Sequence, residues 1–280
     1  MKFTRPLVKC FVIAMLVLSQ KMSFASGFPI KPHSWMISPS INYFFATKSW
    51  DSLRVKSPFS SNGRYNSVSV YIYSEYGISK RFAFIAQLPY VMNNYQADNY
   101  SKKSAGLTDF ETGIRYSLAS IKNKYFFTLQ GTLITPLYSD LNLGYRAEGG
   151  ELKLAFACSG ALGKLSYFLS IEDGVRQYAG TDGPTQNRYY GSFGLNLDKA
   201  SKNQAIIALS GFNSTSNLNS SYNPSLVGGN KNFSFNQVTL SYGHAFTKRV
   251  TAYVAGSTFY SGRNTGAGST MTASLVIKPF

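Results

Sequence analysis

The chain has 280 residues and a formal net charge of +16, with 44% hydrophobic, 15% aromatic and only 14% charged residues. Ordinary soluble domains carry about 25% charged residues, so this balance is unusual. Beyond the N-terminus no run of ~18 apolar residues exists, which excludes a bundle of membrane helices. The 21 Phe and 20 Tyr argue against a disordered chain.

Residues 1–25 read as a secretory signal peptide. Lys2, Arg5 and Lys9 form a basic start, Cys10–Leu18 is an unbroken apolar run, and Ser23-Phe24-Ala25 is a small-x-small cleavage pattern. Cleavage after Ala25 leaves 26–280 as a single β-barrel domain. It leaves 24 basic and 12 acidic residues, a net charge of +12, and one cysteine, Cys158.

From residue 34 onward the chain alternates with period two, the mark of strands with one apolar face. Twelve strands are expected, at 34–46, 66–78, 82–92, 108–118, 125–136, 151–162, 165–178, 188–197, 204–212, 233–246, 250–260 and 269–280. In the first, Trp35, Ile37, Ile41, Tyr43 and Phe45 oppose Ser38, Ser40 and Asn42. In the sixth, Leu152, Leu154, Phe156 and Cys158 oppose Glu151, Lys153 and Ser159.

The connectors alternate in length. Short ones fall at 79–81, 119–124, 163–164, 198–203 and 247–249, and long ones at 47–65, 93–107, 137–149, 179–187, 213–232 and 261–268. This is the pattern of an all-β, antiparallel, up-and-down transmembrane β-barrel with tight periplasmic turns and longer outer loops. Such a sheet can span hydrocarbon only if closed, so the first strand is expected to pair with the last. The expected location is the Gram-negative outer membrane. Partners there are outer-membrane lipids, lipopolysaccharide and, through the terminal Phe280, the barrel-assembly machinery.

Tyr90, Tyr116, Tyr125, Phe126, Tyr138, Tyr167, Tyr189, Phe246 and Tyr260 lie near strand ends, as an interfacial aromatic girdle would. The short turns hold Lys80, Arg81, Lys122, Lys124, Lys164, Lys199, Lys202, Lys248 and Arg249 against the single acid Asp198. Charge dispersed over turns suits a membrane surface, not nucleic acid, so no nucleic-acid partner is expected.

The polar parity of the strands carries Glu75, Asp109, Glu111, Arg115, Glu151, Lys153, Glu172, Arg176 and Arg188. These nine are the candidate lumen-lining residues. Two readings stand side by side: a salt-bridged packing of the interior, or a lining that meets solute.

No catalytic constellation is expected. The histidines His33 and His244 are far apart in the chain and without a triad pattern. One mature cysteine and two distant histidines build no metal site, and no cofactor is expected. His244, on the apolar parity with Tyr242 and Phe246, is the one candidate for a lipid-modifying enzyme.

Tyr76-Gly77-Ile78-Ser79-Lys80-Arg81, then Leu88-Pro89-Tyr90, then Gly106-Leu107-Thr108-Asp109 running on to Arg115-Tyr116, resemble segments of the bacterial family called "MetA-pathway of phenol degradation". Where that family has T-P-T-G, this chain has Thr135-Pro136-Leu137-Tyr138. The resemblance covers about a quarter of the chain. It implies an outer-membrane transporter-like barrel for small, often aromatic or hydrophobic compounds, with no catalytic residues. Asp109 and Arg115 fall on its matched positions, which suggests an ion pair between them. The expected activity is passive passage of small solutes. The alternative is a surface structural or adhesive barrel acting through loops 47–65 and 213–232.

Overall fold

The computed structural model describes residues 27–217 and 222–279. The expected signal peptide and the terminal Phe280 lie outside them. The strands are β1 (Trp35–Trp50), β2 (Lys56–Pro58), β3 (Arg64–Gly77), β4 (Phe82–Ala97), β5 (Tyr100–Leu107), β6 (Asp109–Ile121) and β7 (Tyr125–Pro136). They continue as β8 (Gly149–Leu162), β9 (Leu165–Tyr178), β10 (Thr185–Asn196), β11 (Asn203–Thr215), β12 (Phe233–Ala245), β13 (Val250–Arg263) and β14 (Thr265–Ile277).

All pairings are antiparallel, and β14 returns to pair with β1 from Ile37↔Ile277 to Trp50↔Thr265. The sheet is therefore a closed barrel. Among the described residues it has twelve staves, because β2 is a short flap on the outer end of β1 and β5 and β6 share one stave. β5 pairs with the outer half of β4 and β6 with its inner half. The break falls at Thr108, whose N–H donates to the Pro89 carbonyl. Pro89 has no N–H to return, so the ladder cannot run through this point.

Two expected loops are shorter than the sequence suggests. Residues 93–107 form the outer hairpin of β4 and β5. Residues 261–268 collapse to a turn at Asn264, whose φ of 47° is in the left-handed region. The short turns stand as expected, with Lys122, Asn123 and Gly163 at positive φ.

The outer wall is apolar on every side. Ile41, Ile72, Leu154, Ile171, Leu209 and Leu240 are among the side chains that stand exposed there. A soluble monomer does not tolerate a continuous apolar girdle. Lipid does, and closure pairs the backbone groups that an edge would leave bare. The chain is thus an outer-membrane β-barrel. Its basic short turns lie at the same end as the start of β1 and the finish of β14, the periplasmic end.

Candidate functional site: the barrel lumen

Alternate side chains of each strand point inward. On β3, β6, β8, β9 and β10 these include all nine candidate residues, and the structure joins eight of them in ion pairs. Arg115 and Glu75 are buried together, with Nη1 2.9 Å from Oε1 and 3.0 Å from Oε2. The rest of the Arg115 fork donates to Tyr73 Oη and Gln130 Oε1. Arg176 Nη2 lies 2.6 Å from both Glu111 and Glu151. Glu151 also receives Arg188 Nη1 at 2.9 Å, and Lys153 meets Glu172 at 3.1 Å.

Asp109 is the ninth. It does not form the ion pair with Arg115 that the family resemblance implies. Its two oxygens accept hydrogen bonds from Tyr138 Oη at 2.8 Å and Tyr178 Oη at 2.9 Å. The reason is register. Arg115 sits opposite Gln130 and Ala83, six residues down β6 from Asp109, within reach of Glu75 on β3. Tyr73, Gln130, Tyr138 and Tyr178 complete this network and were absent from the sequence-based set.

Two members of the expected girdle are elsewhere. Tyr138 bends to Asp109, and Phe126 is buried inside, its ring 5.4 Å from that of Phe28. Tyr90, Tyr125, Tyr189, Phe246 and Tyr260 are exposed on the outer wall.

The opposite arc of the lumen is aromatic. Arg188 on β10 faces Phe212 on β11, and Phe212 faces Phe235 on β12. The Phe212 and Phe235 rings are 5.7 Å apart and nearly parallel, as are Phe235 and Phe259 at 4.3 Å. Phe44 on β1 continues the row 5.6 Å from Phe259, and Tyr65 on β3 follows at 5.9 Å. β14 lies between β13 and β1 and contributes Gly268, where any Cβ would overlap the Phe44 ring. Glycine there lets Phe44 lean across the strand.

Both mouths are covered. At the periplasmic end residues 27–34 run into the barrel, Phe28 packing on Phe126 and Gly27 against Ala157. His33 N–H donates to the Gly77 carbonyl at 2.7 Å. At the outer end the segments after β7 and β11 interlock. Gly228 N–H donates to Leu141 O at 2.8 Å and Tyr145 Oη to Asn230 O at 3.3 Å. A side chain at Gly228 would overlap the Gly144 carbonyl.

Between these covers a cavity of ≈120 Å³ borders Arg115, Glu111, Glu151, Lys153 and Arg188. It is polar and has room for several waters. His244 is not in it. His244 Nδ1 lies 2.7 Å from Asn203 Oδ1 and its ring packs on Phe246, at the periplasmic rim.

No family model and no curated protein matches the sequence. Solved structures do resemble the fold. A COG4313 outer membrane channel from Pseudomonas putida F1 superposes with a TM-score of 0.70 at 10% identity, covering 92% of this chain and 99% of that one. The beta domain of the Bordetella autotransporter BrkA gives 0.55 at 12% identity, covering 88% and 99%. The translocator domain of autotransporter NalP from Neisseria meningitidis gives 0.51 at 10% identity, covering 96% of each. At these identities the likeness is one of fold.

Proposed function

We propose that the protein is a channel that passes small solutes across the outer membrane by passive diffusion, without covalent chemistry. The observation that carries this reading is the charged, water-accessible cavity inside a closed barrel whose outer wall is apolar. The lumen charges are paired with each other, so they shape a polar passage of mixed sign and do not attract one ion strongly. Similarity to a COG4313 outer membrane channel supports the same reading. So do the segments that resemble the MetA-pathway family, of which we take this chain to be a divergent member passing small apolar or aromatic compounds. Purified protein in planar bilayers is expected to give discrete conductance steps, and in liposomes to admit small solutes. A barrel that inserts and folds yet conducts and admits nothing refutes the reading.

A further inference from the structure

We propose that the lumen holds a binding site for an amphipathic carboxylate, its acid group on Arg188 and its apolar body along Phe212, Phe235 and Phe259. The inference rests on the channel reading and names the class of solute for which the lumen is built.

Arg188 stands where the ionic arc meets the aromatic arc. It is the most exposed member of the ion pairs, at 40%, against 4% for Arg115 and 7% for Arg176. Arg115 and Arg176 spend their donors on buried protein groups. Arg188 engages Glu151 through Nη1, and that carboxylate already accepts from Arg176. Arg188 borders the cavity, and among the described residues its Nε and Nη2 make no hydrogen bond, which leaves that fork of donors for a ligand. Its central carbon lies 5.7 Å over the Phe212 ring, which steadies the planar head at the end of the aromatic row. A guanidinium edge matches a carboxylate in two parallel hydrogen bonds.

The row supplies the second half. Phe212, Phe235 and Phe259 are only half-buried, and the Phe235 plane lies within 12° of each of its two neighbours. The row begins at Arg188, which borders the cavity, and partly exposed apolar rings gain by being covered with an apolar body. A small hydrophilic anion uses only Arg188, and a neutral apolar molecule only the row. A cationic head meets Arg188 and Lys153, because Glu111 and Glu151 are already occupied by Arg176. An apolar or aromatic acid satisfies both halves at once.

The test uses the full-length barrel in detergent and in planar bilayers, with benzoate, benzyl alcohol and acetate as probes. Benzoate is expected to bind about tenfold more tightly than either of the others, as a hydrogen bond to a charged group implies. It is also expected to interrupt the channel current. Arg188→Gln is expected to bring benzoate down to the level of benzyl alcohol, and Phe235→Leu to weaken both aromatic probes. Heat-modifiable migration in electrophoresis reports that each variant is folded. Should Arg188→Gln not fold, Arg188→Lys, which keeps charge but loses the fork, is expected to narrow the gap between benzoate and benzyl alcohol. Equal affinity of the native protein for benzoate and benzyl alcohol overturns the site, as does an unchanged gap in a folded Arg188 variant. A barrel that binds benzoate selectively yet carries no current overturns the channel reading and leaves the site standing.

Discussion

Arg176 and Glu151 sit directly opposite each other in the β8–β9 register, and their side chains meet at 2.6 Å inside the barrel. Arg176 also holds Glu111 on β6, so one guanidinium ties together strands on both sides of β7. Replacing it with Met leaves two enclosed carboxylates without that partner. We expect Arg176→Met to lower barrel stability by about 1–3 kcal/mol, less than for a fully orphaned buried charge, because Glu151 keeps Arg188 and Glu111 borders the cavity. Urea unfolding from lipid vesicles, followed by loss of heat-modifiable mobility, measures it. Converting Glu111 and Glu151 to Gln in the same variant is expected to restore part of the loss.

Leu154 lies near the middle of β8 on the lipid face and is 53% exposed. Leu154→Arg places a charge in the hydrocarbon. The expected cost is about 2–4 kcal/mol near the bilayer midplane. The same substitution at Leu162, at the end of β8 beside the Gly163 turn, is expected to cost about 0–1 kcal/mol. Folding yields into vesicles of the two variants, compared side by side, check the depth dependence.

The packing of Phe28 on Phe126 makes residues 27–33 an obstruction at the periplasmic mouth. Deleting 27–33 while retaining the exported start is expected to raise single-channel conductance severalfold. Phe28→Ala is expected to increase current noise as the segment loosens. Identical current traces in native and shortened proteins would show that the segment does not limit flow.

Asp198 caps the β10–β11 turn, accepting from the Lys202 and Asn203 backbone N–H groups at 3.1 and 2.7 Å. These bonds, the first of them foremost, hold its carboxyl below the ordinary 3.8. A carboxyl depressed in the folded state stabilises the turn above its unfolded pKa, and loses that effect as pH falls through the folded value. Asp198→Asn is therefore expected to differ from the native protein in turn protection at neutral pH. The difference is expected to shrink once the pH falls under the ordinary 3.8 and to vanish only below the depressed folded value. Amide-exchange rates across 197–203 at several pH values provide the measurement.

The crossing strands and the alternation of turns were legible because period-two patterning is local: each residue declares its face through its own neighbours. The same parity placed Glu75, Arg115, Glu151 and Arg176 inside. It did not say which acid meets which base, because partners are fixed by register between strands far apart in sequence. Arg115 accordingly pairs with Glu75, forty residues away, and not with nearby Asp109. The aromatic arc was missed for a different reason. Phe44, Phe212 and Phe235 occupy the polar parity, after Asn42, after Ser210 and before Gln237, whereas an aromatic girdle draws the eye only to strand ends. Phenylalanine on the wet parity of three nearby staves was the signal available.

The junction of β1 and β14 has a consequence for how the barrel forms. Every other joint links strands adjacent in the chain, so hairpins can assemble from local contacts. The Asn42–Thr272 hydrogen bond spans 230 residues. The entropy of bringing chain ends together grows with the length between them, and distant pairings form slowly. Until β14 arrives, the edge of β1 offers unpaired backbone groups to any strand that passes. Closure therefore carries the largest loop-closure cost of any joint in the barrel, and the β1 edge is the one most exposed to mispairing before it happens.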